Sequence, residues 1–110
     1  MGFSLVISNG TVVDGTGGEP FVADVGVRDG SIVAVTPGGE LADADADEVI
    51  DATGLLVTPG FVDIHTHYDG QVTWDPMLTP SCWHGVTTAV MGNCGVGFAP
   101  VADADREWLI

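Results

Sequence analysis

Gly60-Phe61-Val62-Asp63-Ile64-His65-Thr66-His67 is the stretch that decides the fold. It is an apolar run that ends in two imidazoles two residues apart. In a β-strand, residues i and i+2 face the same side. A strand over residues 61–67 therefore predicts that His65 and His67 project together, as two ligands of one metal ion need. Asp63 falls on the same face, where it can hold an imidazole N–H from outside the ligand set. Taken alone, the pair also reads as one surface histidine and one satisfied core histidine.

Upstream of this stretch the pattern is different. Residues 1–58 read as short strands punctuated by turns. Residues 3–8 form a first strand, and Asn9-Gly10 predicts a tight turn with residues 11–14 pairing back. Residues 14–20 are a Gly-rich loop. Asp29-Gly30 predicts a second hairpin between strands at 23–28 and 31–35. Strands at 48–51 and 55–58 flank Ala52-Thr53-Gly54. These pieces predict a small β-sandwich or open barrel. The alternating Ala and Asp of residues 41–47 read as a solvated loop or helix turn, with a cation site as the rival reading.

Downstream, the grammar becomes strand, helix, strand, helix. A loop carries Tyr68, Trp74, Pro76 and Met77, residues that either line a pocket or simply pack. Thr79-Pro80 reads as an N-cap with proline at the first helical position. A short helix over residues 81–84 follows, with Gly85 as its stop. Cys82, beside Trp83, reads as a core residue, and His84 as a helix-end residue. Residues 86–92 predict a second buried strand and residues 93–100 a loop. Asp103 predicts the cap of a helix that includes Trp108, Leu109 and Ile110.

This alternation is that of a parallel α/β barrel, which takes ~250 residues when complete. The expectation is an α/β chain in two parts. Residues 1–58 form the N-terminal part of a small β-sandwich domain. Residues 59–110 begin a (β/α)8 TIM-type barrel that is incomplete in this chain. The chain is accordingly expected to be the N-terminal portion of a larger enzyme.

Composition narrows the functional classes. The 110 residues include 16 acidic side chains against two basic ones, Arg28 and Arg106, for a net charge of −14. Phosphate neutralisation needs Lys and Arg, so nucleic acid and anionic membrane are excluded as partners. The acidity reads as solubility, or as adaptation to salt, because no calcium-loop pattern accompanies it. Hydrophobic residues make up 45% of the chain and the mean hydropathy is +0.34, which excludes a disordered segment. No apolar run approaches the ~18 residues of a membrane span, and no signal peptide is visible. Two cysteines are too few for a disulfide scaffold. The expectation is a cytoplasmic protein with free thiols.

Cys94 strengthens the histidine pair. It lies at the end of the second predicted strand, and neighbouring parallel strands run ~4.8 Å apart. A thiolate there can reach a metal at the mouth of the first strand, and Gly92 and Gly95 let the backbone turn sharply. A buried structural cysteine is the alternative. Two imidazoles and a thiolate suit zinc, and imidazole also suits nickel or iron.

Pro59 through His67 has the form Pro-Gly-Phe-Val-Asp-x-His-x-His. It resembles the first barrel strand of the amidohydrolase superfamily, which follows a small β-domain. Three further stretches are similar to the D-aminoacylase, or N-acyl-D-amino-acid deacylase, branch. They are His65-Thr-His-Tyr-Asp-Gly-Gln-Val-Thr-Trp-Asp-Pro, Trp83-His-Gly-Val-Thr-Thr and Met91-Gly-Asn-Cys-Gly-Val-Gly-Phe-Ala-Pro. The resemblance implies hydrolysis of a linear N-acyl-D-amino acid to a carboxylate and a D-amino acid. It implies zinc, as one or two divalent ions, held by His65, His67 and Cys94, with Asp63 behind them. It also implies two more histidine ligands and a general-base Asp beyond residue 110, so no catalytic acid or base falls within the chain. A cyclic-amide hydrolase of the dihydroorotase or hydantoinase kind is the rival within the superfamily. That rival relies on a carboxylated Lys, and Gly92-Asn93-Cys94-Gly95 argues against it. A truncated, non-catalytic fragment is the rival outside it.

Overall fold

The computed structural model describes residues 2–94 and 102–108. It divides into two compact units, Met1–Pro59 and Gly60–Ile110. Among the described residues no helix is long and apolar enough to cross a membrane.

The first unit is a five-stranded sheet. β1 (Leu5–Val12), β2 (Phe21–Arg28) and β3 (Ser31–Pro37) form an antiparallel meander. β4 (Val49–Asp51) and β5 (Leu56–Val57) both run parallel to β1, the first beside Val6–Ser8 and the second beside Thr11–Val12. The two late strands thus share one edge of β1, while β2 occupies the other. The expected Asp29-Gly30 hairpin is present. Asp29 and Gly30 adopt φ of 51° and 73°, the two positive values that the tight turn between twisted strands demands.

The expected Asn9-Gly10 turn is not present. β1 runs straight through both residues to Val12. Ile7 pairs with Val25 and Gly10 with Ala23, so Ser8 and Asn9 together oppose Asp24 alone. This is a two-for-one β-bulge, with Asn9 at φ 55°. Its cause is the side chain opposite. Asp24 is fully buried, and its Oδ1 accepts the Asn9 N–H at 2.7 Å. Oδ2 accepts the Leu41 N–H at 2.8 Å, which fastens the turn after β3. Burial pushes the Asp24 carboxyl upward, but main-chain N–H groups of Asn9, Leu41 and Gly39 outweigh it and hold the pKa below the usual value. At the bulge, a Cβ on Gly10 would collide with the Val57 side chain, so glycine is what lets β5 approach.

The small core of this unit consists of Val12, Ala23 and Val25, with Ile7 and Val57 packed against it. Residues 41–47 are a mostly exposed turn region, as expected, tied to Phe3 by main-chain bonds to Asp45 and from Asp47.

The second unit is built on two parallel strands, β6 (Phe61–Asp63) and β7 (Val86–Ala89). Both end sooner than expected, and neither is buried in this chain. Phe61 and Val62 are each 58% exposed, because no described element covers their faces. The crossover between them contains 3-10 turns at Gln71–Thr73 and Ser81–His84. Gly85 stops the second turn at φ 83°, as expected. Thr79 does not cap it. Pro80 is the cap residue, with no side-chain cap bond, and the Thr79 hydroxyl is committed to Asp75 instead. Cys82 is only half-buried, and its neighbour Trp83 is 75% exposed, so neither is a core residue here. Asp103 opens a 3-10 segment, Asp103–Trp108, rather than capping an α-helix. Leu109, Ile110 and the expected loop from residue 95 to 100 lie outside the described residues.

Replacing Asp24 with Ala strands the Asn9 and Leu41 amides. An unmade bond to a buried donor costs ~1–3 kcal/mol. Both donors are part-buried, so Asp24→Ala is expected to lower unfolding stability by ~1–3 kcal/mol in a urea titration. An unchanged midpoint would show that the bulge stands without its carboxylate.

Candidate metal centre

The last rungs of the β6–β7 ladder set the positions of the ligands. Asp63 pairs with Ala89, and the Val90 N–H donates to the Asp63 carbonyl at 2.8 Å. Both chains then leave the sheet in the same direction. His65 and His67 follow Asp63, and Cys94 follows Val90.

Regular strand ends at Asp63, yet alternation persists beyond it. Thr66 (5% exposed) and Tyr68 (9%) are buried, while His65 and His67 between and before them are exposed. Thr66 turns toward the neighbouring strand, and its Oγ1 donates to the Val90 carbonyl at 2.6 Å. The two histidines therefore face away from Thr66, with ring centroids 5.8 Å apart and planes inclined by 26°. The nitrogens of His65 and His67 and the sulfur of Cys94 offer one ligand atom each, all within 4.8 Å of one another. The sequence-predicted trio is thus assembled.

The Asp63 carboxylate supports this corner through the main chain. Its Oδ1 accepts the His65 N–H at 3.1 Å, rather than the imidazole N–H expected from the sequence. The reason is local. A carboxylate two residues before an amide that has left the ladder is well placed to satisfy it. Two residues that the sequence reading passed over also serve the site. One is Thr66, recognisable in hindsight as the residue between the histidines that must face the adjacent strand. The other is Asn93, whose Nδ2 donates to the Ile64 carbonyl at 2.7 Å. Gly92 precedes it at φ 85°, a left-handed value that a Cβ would strain.

The donor chemistry fits zinc. Zinc is bound at ~2.0–2.3 Å by imidazole nitrogen and thiolate, which in a tetrahedral site places ligand atoms roughly 3.3–3.6 Å apart. The three candidate ligand atoms lie within 4.8 Å of one another, somewhat wider than that spacing.

The loop after His67 is organised by one carboxylate. Asp75 Oδ2 accepts the Thr79 hydroxyl at 2.6 Å, the Thr79 N–H at 2.8 Å and the Gln71 side-chain amide at 2.9 Å. Its Oδ1 accepts the Met77 N–H at 3.0 Å. Tyr68 is a packing residue here, with its hydroxyl on Ser81 Oγ at 2.5 Å. Trp74 is 72% exposed. His84 closes the second 3-10 turn, exposed. A cavity of about 220 Å³ lies among Met77, Leu78, Cys82 and Val86, and none of the three candidate ligands lines it.

A family model described as the amidohydrolase family matches residues 48–110, which include all three candidate ligands. The chain belongs to the amidohydrolase family. Within it, D-aminoacylase of Alcaligenes xylosoxydans xylosoxydans is 44% identical over 103 residues, covering 94% of this chain and 21% of the relative. A crystal structure of N-acyl-D-glutamate deacylase from Bordetella bronchiseptica, complexed with zinc and a phosphonate mimic of the tetrahedral intermediate, superposes with a TM-score of 0.81. It is 42% identical, and the match covers 92% of this chain and 21% of that one. A D-aminoacylase with a binuclear metal centre superposes with a TM-score of 0.79 at 45% identity, over 93% of this chain and 21% of that one. This chain therefore spans about a fifth of the length of the amidohydrolases it matches.

The hydrogen bonds to Asp75, led by the Thr79 hydroxyl and the Gln71 amide, hold its carboxyl at about 2 against an ordinary value of 3.8. A depressed pKa means the charged form is favoured in the folded state. Its contribution is complete above pH 3.8 and is lost as pH falls through about 2. The gap in urea midpoint between wild type and Asp75→Asn is expected to be constant above pH 3.8 and to shrink across that window. A gap that does not change with pH would show that Asp75 is not the acid-labile brace of this loop.

Proposed function

We propose that this chain supplies the first metal-binding corner of a zinc-dependent hydrolase of linear N-acyl-D-amino acids. The observation that carries this reading is the convergence of His65, His67 and Cys94 within 4.8 Å at the ends of two parallel strands. Barrel enzymes build their sites at that end of the strands, so we take β6 and β7 as the opening strands of a (β/α)8 barrel and residues 1–58 as part of a small β-domain. The similarity to D-aminoacylase and to the zinc-complexed N-acyl-D-glutamate deacylase supports the substrate class.

In this reading His65, His67 and Cys94 hold one divalent zinc or share a two-ion centre. When bound, zinc supplies Lewis-acid polarisation of an amide carbonyl and makes water more acidic. The residues of this chain do the holding. Asp63 fixes the main chain of His65, and Thr66 ties the segment between the histidines to β7. Thiolate and neutral imidazole are the forms that bind metal, so loading releases protons. A cytoplasmic, reducing setting keeps Cys94 available as a thiol. The protein as a whole acts on a small-molecule N-acyl amino acid. Proton transfer to the leaving amine falls to a carboxylate outside these 110 residues, and the isolated 110-residue chain is expected to show no turnover.

Cys94→Ala in the full-length enzyme is expected to abolish tight zinc binding, measured by metal content after dialysis, and to remove hydrolysis of an N-acetyl-D-amino acid. Wild-type zinc content and activity in that variant would sink the assignment of Cys94. Faster turnover of a hydantoin than of the N-acetyl-D-amino acid by the unmodified enzyme would move the substrate class to cyclic amides.

A further inference from the structure

We propose that Asn93 is the positioning residue that decides whether Cys94 joins the two histidines on one metal ion. The proposal rests on the metal reading above and concerns how the corner is assembled. Asn93 Nδ2 donates to the Ile64 carbonyl at 2.7 Å, across 29 positions of sequence. Ile64 immediately precedes His65, and Asn93 immediately precedes Cys94. The bond therefore joins the two ligand-bearing segments one residue before a ligand on each side.

The other ties between these segments act too early to place the cysteine. The Val90 N–H bond to Asp63 and the Thr66 bond to the Val90 carbonyl both hold Val90, four residues before Cys94. Between Val90 and Cys94 lies Gly92, in the left-handed region at φ 85°. Glycine there is free to take many other conformations, so restraint at Val90 does not carry through to Cys94. On the Cys94 side of Gly92, the tie among the described residues is the Asn93 side-chain bond to the Ile64 carbonyl. Asn93 is itself exposed, so its amide gains nothing from filling a core. What it does is exchange water for a carbonyl and thereby order the segment that carries the thiol. Partners one shell out from a metal typically change affinity by ~10–100-fold through such orientation.

The chemistry of the bond separates this role from simple space-filling. It needs a donor, because its partner is a carbonyl oxygen. An aspartate of the same shape presents a negative oxygen to that carbonyl and repels it. A residue retained only for its volume would tolerate aspartate better than alanine, whereas a latch predicts the reverse.

Cobalt(II) titration of the full chain tests this, because a thiolate ligand adds a near-ultraviolet charge-transfer band that imidazoles do not. Wild type is expected to show the band and Cys94→Ala to lack it. Asn93→Ala and Asn93→Asp are expected to keep the wild-type urea midpoint, to lose most of the band per bound cobalt, Asp more than Ala, and to bind cobalt ~10–100-fold more weakly. Charge-transfer intensity equal to wild type in both variants would overturn the latch while leaving the metal reading intact. Asp ranking above Ala would overturn it as well. Absence of the band from wild type would overturn the metal reading and the latch together. Should Asn93→Asp not fold, Asn93→Ala alone decides.

Discussion

Among the described residues, the hydrogen bond from the Val90 N–H, just after β7, to the Asp63 carbonyl at the end of β6, at 2.8 Å, is the last main-chain link between the two segments. His65 and His67 lie two and four residues past one partner, and Cys94 lies four past the other. The parallel sense of the pair is what makes this useful. In an antiparallel pair the chains leave a shared rung in opposite directions, and three residues so spaced could not converge. Parallel pairing needs a long crossover, here residues 64–85, and that crossover must itself be organised. Asp75 organises it with four hydrogen bonds from Gln71, Met77 and Thr79.

Several of the 16 acidic residues, Asp24 and Asp75 foremost, therefore have a defined structural use that net charge alone does not disclose. Asp24 and Asp75 sit in different units but solve the same problem. Each faces main-chain N–H groups that have left regular structure, at the β1 bulge and turn 39–41 in one case and at residues 77 and 79 in the other. A carboxylate has two oxygens and several acceptor positions, so one side chain can satisfy several stray donors. Asp63 does the same for a single donor, the His65 amide. Most of the remaining acidic side chains are exposed, which accords with a role in solubility.

The legible features of the sequence were those governed by local rules. Asp29-Gly30 makes its hairpin because both residues accept positive φ, and Gly85 ends its 3-10 turn for the same reason. Asn9-Gly10 carries the same local signal but forms a bulge instead of a turn, with the buried carboxylate of Asp24, fifteen residues away, accepting the Asn9 N–H. No window around residue 9 contains that information. Thr79 was misread for a similar reason, since Asp75 claims its hydroxyl before any helix can. The three candidate ligands could be named together because ligand chemistry restricts residue type, although the His-x-His pair alone also reads as one surface and one core histidine. Asn93 and Thr66 could not be, because their value lies in which carbonyl each one meets.

β6 ends at Asp63, before the two candidate histidine ligands. Residues i and i+2 of a regular strand stand roughly 6.6 Å apart along the chain, and their side chains run parallel. Donor atoms on one zinc ion must approach to roughly 3.5 Å. Past the end of β6 the two rings stay on one side, inclined by 26°, with the donor atoms of His65, His67 and Cys94 within 4.8 Å of one another. Leaving the sheet strands main-chain groups that the ladder would have paired. The Asp63 carboxylate takes the His65 N–H, Asn93 takes the Ile64 carbonyl, and Thr66 takes the carbonyl of Val90. The irregular backbone needed for convergence is thus held by side chains within the same two segments. That is why the motif is short and why residues between the ligands matter alongside the ligands themselves.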